Sequence, residues 1–316
     1  MESGGTESLP WLPHKPRPED GEPGAMGQVP IPVETLPPLP PLRLAVVGHV
    51  EVVSFLEVQQ MPQPGIVQRA LAFSEHAAGG AAVVAVQLAR LSQSRVDLYT
   101  ALGRDSHGQR AASELESLGV DVHIAWRDAP TRRGVSFIEA GGDRSITVIG
   151  ERLTPYGNDA LPWEELRRCD GVFVTAADPS ALWAARQARV CTATPRVGLD
   201  VLNQSGIALD ALIGSGLDPA EQVPDHALRA SPHLVIATHG AAGGIARPGG
   251  RFAAPLRSTP ERDSYGAGDC FAAGVTAGLA AGWNIQQAIS LGCHCGSCCL
   301  DALGPYASQY RRPSES

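Results

Sequence analysis

The run Asp263-Ser264-Tyr265-Gly266-Ala267-Gly268-Asp269 carries the residue types that phosphoryl chemistry needs. Gly266 and Gly268 let the backbone turn sharply and approach a ligand closely. The apolar stretch 270–281 that follows reads as a helix, so free N–H groups and a positive dipole end face the loop. A phosphate fits such a helix start. Asp269 falls in the first turn, beside that anion. A carboxylate there repels phosphate, and it makes chemical sense if it takes a proton from an attacking hydroxyl. The combination suggests phosphoryl transfer to an alcohol. The same residues also suit an ordinary glycine-rich turn whose aspartate satisfies the helix dipole.

A second cluster is Cys293-His294-Cys295-Gly296-Ser297-Cys298-Cys299. Its spacing raises a zinc or iron–sulfur site or a redox module. On a helix, Cys295 shares a face with Cys298 or Cys299, but Cys293 and Cys295 diverge by about 200°. Cys169, Cys191 and Cys270 are isolated in the sequence. Packing as small hydrophobes is the better reading of these thiols.

Composition narrows the options. The chain has 316 residues, a net charge of −8, 43% hydrophobic and 18% charged residues, which fits a globular protein of one large or two ordinary domains. The acidic balance argues against a nucleic-acid partner. Lys15 is the single lysine, so a Schiff base, a P-loop lysine and a protein-kinase lysine are all excluded beyond it. No apolar stretch reaches the ~20 residues of a membrane span, and no secretory signal opens the chain. Seven cysteines, mostly near the C-terminus, do not make a disulfide framework, and a cytoplasmic location is expected.

The elements that must position Asp269 follow from patterning. Residues 1–41 hold 11 of the 26 prolines and read as a flexible leader, with Met1 and Met26 both compatible with the start. A globular domain of 42–312 and a tail of 313–316 follow. The segments 42–48, 96–100, 172–175, 196–200 and 234–238 read as strands. The segments 80–91, 108–118, 163–168, 179–189, 268–281 and 285–300 read as helices. This alternation predicts a mostly parallel sheet between helices. Residues 133–139 and 144–150 flank Gly141-Gly142-Asp143 as a hairpin. With 51–70, the stretch 126–150 predicts a small β lid.

Residues 263–276 resemble the C-terminal signature of the ribokinase-type (PfkB) carbohydrate kinase family. Gly79-Gly80-Ala81-Ala82 and the helix after it resemble the N-terminal signature. Thr238-His239-Gly240-Ala241-Ala242-Gly243 resembles the nucleotide-contacting T-x-G-x-x-G, and Gly304-Pro305-Tyr306 the usual ending. The resemblance spans about residues 42–310. It implies a ribokinase-like three-layer α/β/α fold with a mostly parallel central sheet and a small β lid. It implies transfer of the ATP γ-phosphoryl group to a hydroxymethyl group of a small carbohydrate or nucleoside. Asp269 would be the general base, and Gly266, Ala267 and Gly268 the anion hole. Thr238, Gly240, Gly243, Asp218 and Glu221 would serve the nucleotide. Mg²⁺ would be organised through phosphates and water without direct protein ligands, and K⁺ or another monovalent cation would sit near Asp263. Gly79, Gly80, Glu51, Val83 and Asp269 would face the substrate. Asp200 resembles the family aspartate after an inner strand, or is a strand-end turn residue.

Three departures stand out. Val83 holds the place of a sugar-contacting asparagine, Glu51 stands near where an aspartate is usual, and Asp218 replaces the asparagine of N-x-x-E. A valine cannot pair with a hydroxyl. Either the substrate is less polar on that side, or Glu51, His49 or lid arginines grip it instead. Arg127, Arg132, Arg133 and Arg144 form either a solvated hairpin surface or an anion clamp. The partner expected is a small-molecule substrate, with no nucleic acid or membrane and with a homodimer through the lid. The rival reading is a non-catalytic sugar- or nucleotide-binding sensor.

Overall fold

The computed structural model describes residues 28–139, 144–224 and 226–312. Lys15, Met26, the Gly141-Gly142-Asp143 turn and the 313–316 tail lie outside them. Strand β1 (Leu44–Val47) is buried along its whole length. Residues apolar on both faces belong inside a sheet covered on both sides. Parallel strands β4 (Val96–Gly103) and β5 (Val120–Arg127) extend the sheet on one side of β1. On the other side come β8 (Gly171–Val174), β9 (Val190–Ala193), β10 (Ala211–Ser215) and β11 (Val235–Thr238), also parallel. Antiparallel β12 (Gly244–Arg247) and β13 (Gly250–Phe252) close that edge. The order is β13-β12-β11-β10-β9-β8-β1-β4-β5.

Alternate residues feed two cores. Leu44 and Val46 pack with helices α1 (Gly80–Ser92), α2 (Ser106–Ser117), α5 (Ala267–Ala280) and α6 (Ile285–Cys299). Ala45 and Val47 pack with α3 (Pro179–Ala185) and the short α4 (Leu199–Ser205). This is the ribokinase-like α/β architecture. Among the described residues no helix is long and apolar enough to cross a membrane.

The lid is a second sheet, in the order β3-β2-β6-β7. Its strands are β2 (Glu51–Val58), β3 (Ala72–Ala78), β6 (Arg133–Glu139) and β7 (Arg144–Ile149). The lid therefore takes in 72–78, beyond the expected 51–70, while Trp126 and Arg127 end the central strand β5. The expected strand over 196–200 is absent. Pro195 lacks the N–H that a ladder needs, so β9 stops at Ala193 and a 3-10 turn (Pro195–Val197) leads into α4. Asp200 consequently sits in the first turn of α4, not at a strand end.

Residues 28–41 also depart from the flexible leader expected. The Ile31 N–H donates to Ser290 Oγ at 2.9 Å, and His294 Nε2 pairs with the Ile31 carbonyl at 2.9 Å. Leu39 is buried, and its carbonyl accepts from Arg312 at 2.7 Å. The Gln28 N–H donates to the Arg251 carbonyl, and those of Thr35 and Leu36 to carbonyls within the segment.

The α5–α6 seam fixes where α5 begins. A Cβ on Gly274 would lie 2.7 Å from Gly292 Cα, and one on Gly278 would lie 2.7 Å from Ala288 Cα. The two backbones touch there, leaving no space for a branched side chain. Gly274→Val should therefore destabilise the protein by about 1–3 kcal/mol or more, read as a lower denaturant midpoint. An unchanged midpoint would show that the seam can open at no cost.

Candidate active site

The sheet's strand order reverses around β1, whose neighbours are β4 and β8. Ligands of open α/β sheets bind at such a switch point, outside the carboxyl ends of the strands. The candidate residues gather there. Gly48 and His49 follow β1, Thr175 follows β8, and Arg196 follows β9. Glu221 follows β10, and the 238–243 turn follows β11.

Helix α5 enters from one side of this row. Gly266 caps it at φ 81°, a left-handed conformation that favours glycine. A Cβ there would also lie 2.9 Å from a Val83 methyl. Val83, fully buried in α1, thus supports the loop from below. The N–H groups of Gly268 and Asp269 have no hydrogen-bond partner among the described residues. They are available to an anion.

Two tethers hold the loop. Buried Asp263 accepts from the Tyr265 N–H and the Gly304 N–H, each at 2.9 Å. The Tyr265 hydroxyl accepts from the Gly79 N–H at 3.0 Å and donates to Glu51 Oε1 at 3.4 Å. One tyrosine therefore joins the loop, the start of α1 and lid strand β2. Gly80 opens α1, and a Cβ on it would lie 2.9 Å from Asp269 Oδ1. Asp269 is consequently pressed between two helix starts. Burial pushes its carboxyl up to about 7, and nearby Glu221 adds to the rise, which Arg196 offsets in part.

The far end of the row has a different character. Gly240 and Gly243 both have positive φ, and a Cβ on Gly243 would lie 2.0 Å from the Phe252 carbonyl oxygen. Thr238 donates to the Gly214 carbonyl at 3.3 Å. Asp218 and Glu221 are both ion-paired with Arg196. Glu221 Oε2 also accepts from the Ser215 N–H at 2.8 Å. Among the described residues no three His, Cys, Asp or Glu side chains converge as a metal cage.

The near end is lined by cations and unpaired polar atoms. Arg132 Nε lies 3.1 Å from Glu51 Oε2. Arg144 sits 3.7 Å from Asp263 and 5.5 Å from the Tyr265 ring centre. Arg127 is not in this group: it forks onto Asp159 at 2.7 and 2.8 Å and stacks on Tyr156. Arg133 is exposed on the lid. Arg152, which no motif marked, takes their place and donates to the Arg196 carbonyl at 2.9 Å. Thr175 and Arg196 also escaped the sequence. The available signal was indirect: with no lysine beyond Lys15, any cation here had to be an arginine.

The cysteines of α6 are packing residues by position. Cys293, Cys295 and Cys299 are buried, and Cys299 Sγ approaches the Tyr265 carbonyl at 3.3 Å. Burial pushes the Cys293 thiol up to about 12.

A family model described as pfkB family carbohydrate kinase matches residues 42–205 and 208–311. The chain belongs to that family. The kinase is 25% identical over 270 residues to an ATP-dependent ribose-1-phosphate kinase of Halopiger xanaduensis, covering 81% of this chain and 91% of that one. It is 25% identical over 268 residues to a 2-dehydro-3-deoxygalactonokinase of Haloferax volcanii, covering 73% and 84%. The fold matches a ribokinase crystal structure from Thermotoga maritima with a TM-score of 0.67 at 19% identity, over 86% of this chain and 97% of that one.

A carboxyl that holds its proton more tightly folded than unfolded stabilises less as pH rises from about 4 through 7. Above pH 7 the kinase keeps a buried charge at a cost. Asp269→Asn should therefore raise the melting temperature at pH 8 by several degrees and much less at pH 5. Equal shifts at both pH values would show that Asp269 is not held near neutrality.

Proposed function

We propose that this kinase transfers the γ-phosphoryl group of ATP to a hydroxymethyl group of a small carbohydrate or nucleoside. The observation that carries the reading is Asp269: a half-buried carboxyl whose pKa is raised to about 7, beside the unengaged N–H groups of α5's first turn. A general base works best when its pKa lies near the working pH. A sensor without chemistry has no use for such a group.

The steps follow from what each residue can do. The acceptor hydroxyl donates to Asp269, which removes its proton as the oxygen attacks the γ-phosphorus and the bond to the β-phosphate oxygen breaks, releasing ADP. The backbone at Gly266, Ala267 and Gly268 would receive the charge on the transferred group, with the Gly268 N–H free to do so and the Ala267 N–H first leaving the Ser264 carbonyl, 3.3 Å away. Thr238, Gly240 and Gly243 let a nucleotide lie close to the ends of β10 and β11. Asp218 and Glu221, fixed by Arg196, suit the outer waters of a phosphate-bound Mg²⁺. That ion would neutralise phosphate charge during transfer. A monovalent cation near Asp263 would take backbone carbonyls as ligands, since both Asp263 oxygens already accept N–H bonds. Gly79, Gly80, Glu51 and Asp269 frame the acceptor, with Val83 behind the loop. The lid leaves Leu71, Phe73, Ile146 and Val148 in water, and pairing two lids would cover them.

Acceptor-dependent ADP release, screened over sugars and nucleosides, tests this reading. Asp269→Asn should lower turnover by about 10²–10⁴-fold. In the wild type, kcat/KM should fall on acidification with a midpoint near pH 7, because the deprotonated carboxylate is the active form. Turnover within a few-fold of wild type in the variant would remove Asp269 from the base's role. Acceptor-independent ATP loss across the panel would overturn the proposal.

A further inference from the structure

The acceptor end holds more positive charge than a neutral sugar can use. Arg196 is neutralised by Asp218 and Glu221. Arg132 has one carboxylate, Glu51, at 3.1 Å. Arg152 has none within ion-pair distance among the described residues, and its only hydrogen bond runs to the Arg196 carbonyl. It is half-buried, and burial together with the charges of Arg132 and Arg196 works against its own charge. Glu51 is a single carboxylate beside two arginines, it also accepts from the Tyr265 hydroxyl, and burial raises its carboxyl pKa above the ordinary value.

Unpaired polar atoms surround these cations. His49 Nδ1, Glu51 Oε2, Arg132 Nε and Thr175 Oγ1 are all buried without an aligned hydrogen bond. His49 and Glu51 sit at the exit of β1, and Thr175 at the adjacent exit of β8. Thr175 is 2% exposed, and its hydroxyl occupies the space where a Gly48 side chain would be. His49 is neutral at working pH, since burial and the three arginines push its imidazole down to about 3. It serves hydroxyls, not charges. Buried polar groups without partners cost stability unless a ligand completes them. Here the missing partner must bring hydroxyls and a negative charge.

Resting on the kinase reading above, we infer that the acceptor is itself an anion, a sugar phosphate or a sugar acid, whose oxyanion is received by Arg132 and Arg152. Guanidinium forks match both groups, and neither loses its charge at working pH. Bound there, the oxyanion supplies Arg152's missing counter-ion. Asp269 would address a hydroxyl at the other end of the same small molecule. His49 and Thr175 would bond the hydroxyls between.

The test compares ribose, ribose 1-phosphate and ribonate as acceptors, with ADP release as the readout. Wild type should favour at least one anion over ribose by about 100-fold in kcat/KM. Which anion wins separates phosphate from carboxylate. Arg152→Gln should cut that preference by about 30-fold or more, the scale for losing one partner of a buried charged pair. Arg152→Lys, which keeps the charge, should retain most of it. Equal or better use of ribose by wild type overturns the inference and leaves the kinase reading intact. Calorimetric titration of each anion without ATP covers the remaining case. Anion binding lost in Arg152→Gln, with no turnover, supports the anion site and sinks the kinase reading. No binding and no turnover overturns the inference.

Discussion

The site depends on two helix starts meeting with no side chain between them. Gly80 begins α1 and Asp269 stands in the first turn of α5, close enough that a single Cβ would touch the carboxylate. Both helices point their positive ends at it, which favours the anion. Burial works the other way, and burial prevails. A carboxyl poised near neutrality results from that balance. It requires glycine at 80 for the approach and the glycine seam of α5 and α6 for the placement of α5.

Tyr265 carries this arrangement outward. Its hydroxyl links the Gly79 turn to Glu51, and its ring packs edge-on against Phe55 of β2, with centres 4.9 Å apart. The lid is thereby anchored to the loop that would hold the phosphoryl group. Glu51 also faces Arg132, just before β6, so both middle strands of the lid begin at the candidate site. Lid and loop are connected through one buried phenol.

The parts of this design that lie in one stretch of chain were legible in the sequence. Residues 263–269 announce a turn, a helix start and an aspartate in its first turn within seven positions, and the 238–243 turn has a similar local grammar. The alternation of strands and helices gave the sheet, and the 133–150 hairpin gave half of the lid. What could not be read is what the fold assembles from distant pieces. Arg132, Arg152 and Arg196 come from the lid, the segment after it, and the exit of β9. Nothing in the sequence brings them together. The 196–200 segment reads as a strand because of its apolar residues, while Pro195 and Gly198 at φ 101° enforce a turn and a helix. Residues 28–41 look flexible by composition, yet a few backbone bonds to α6 hold them in place.

The absence of lysine beyond Lys15 has an effect on acid–base behaviour. Every cation in the site is a guanidinium, which keeps its proton far above the working range. Burial holds the Tyr265 phenol well above its usual value, and His49 is already neutral. Once Asp269 has ionised, none of these groups changes charge in weakly alkaline solution. In the proposed reaction the site would therefore act as a one-way proton valve: acid would shut it, and mild base would have nothing left to open or close.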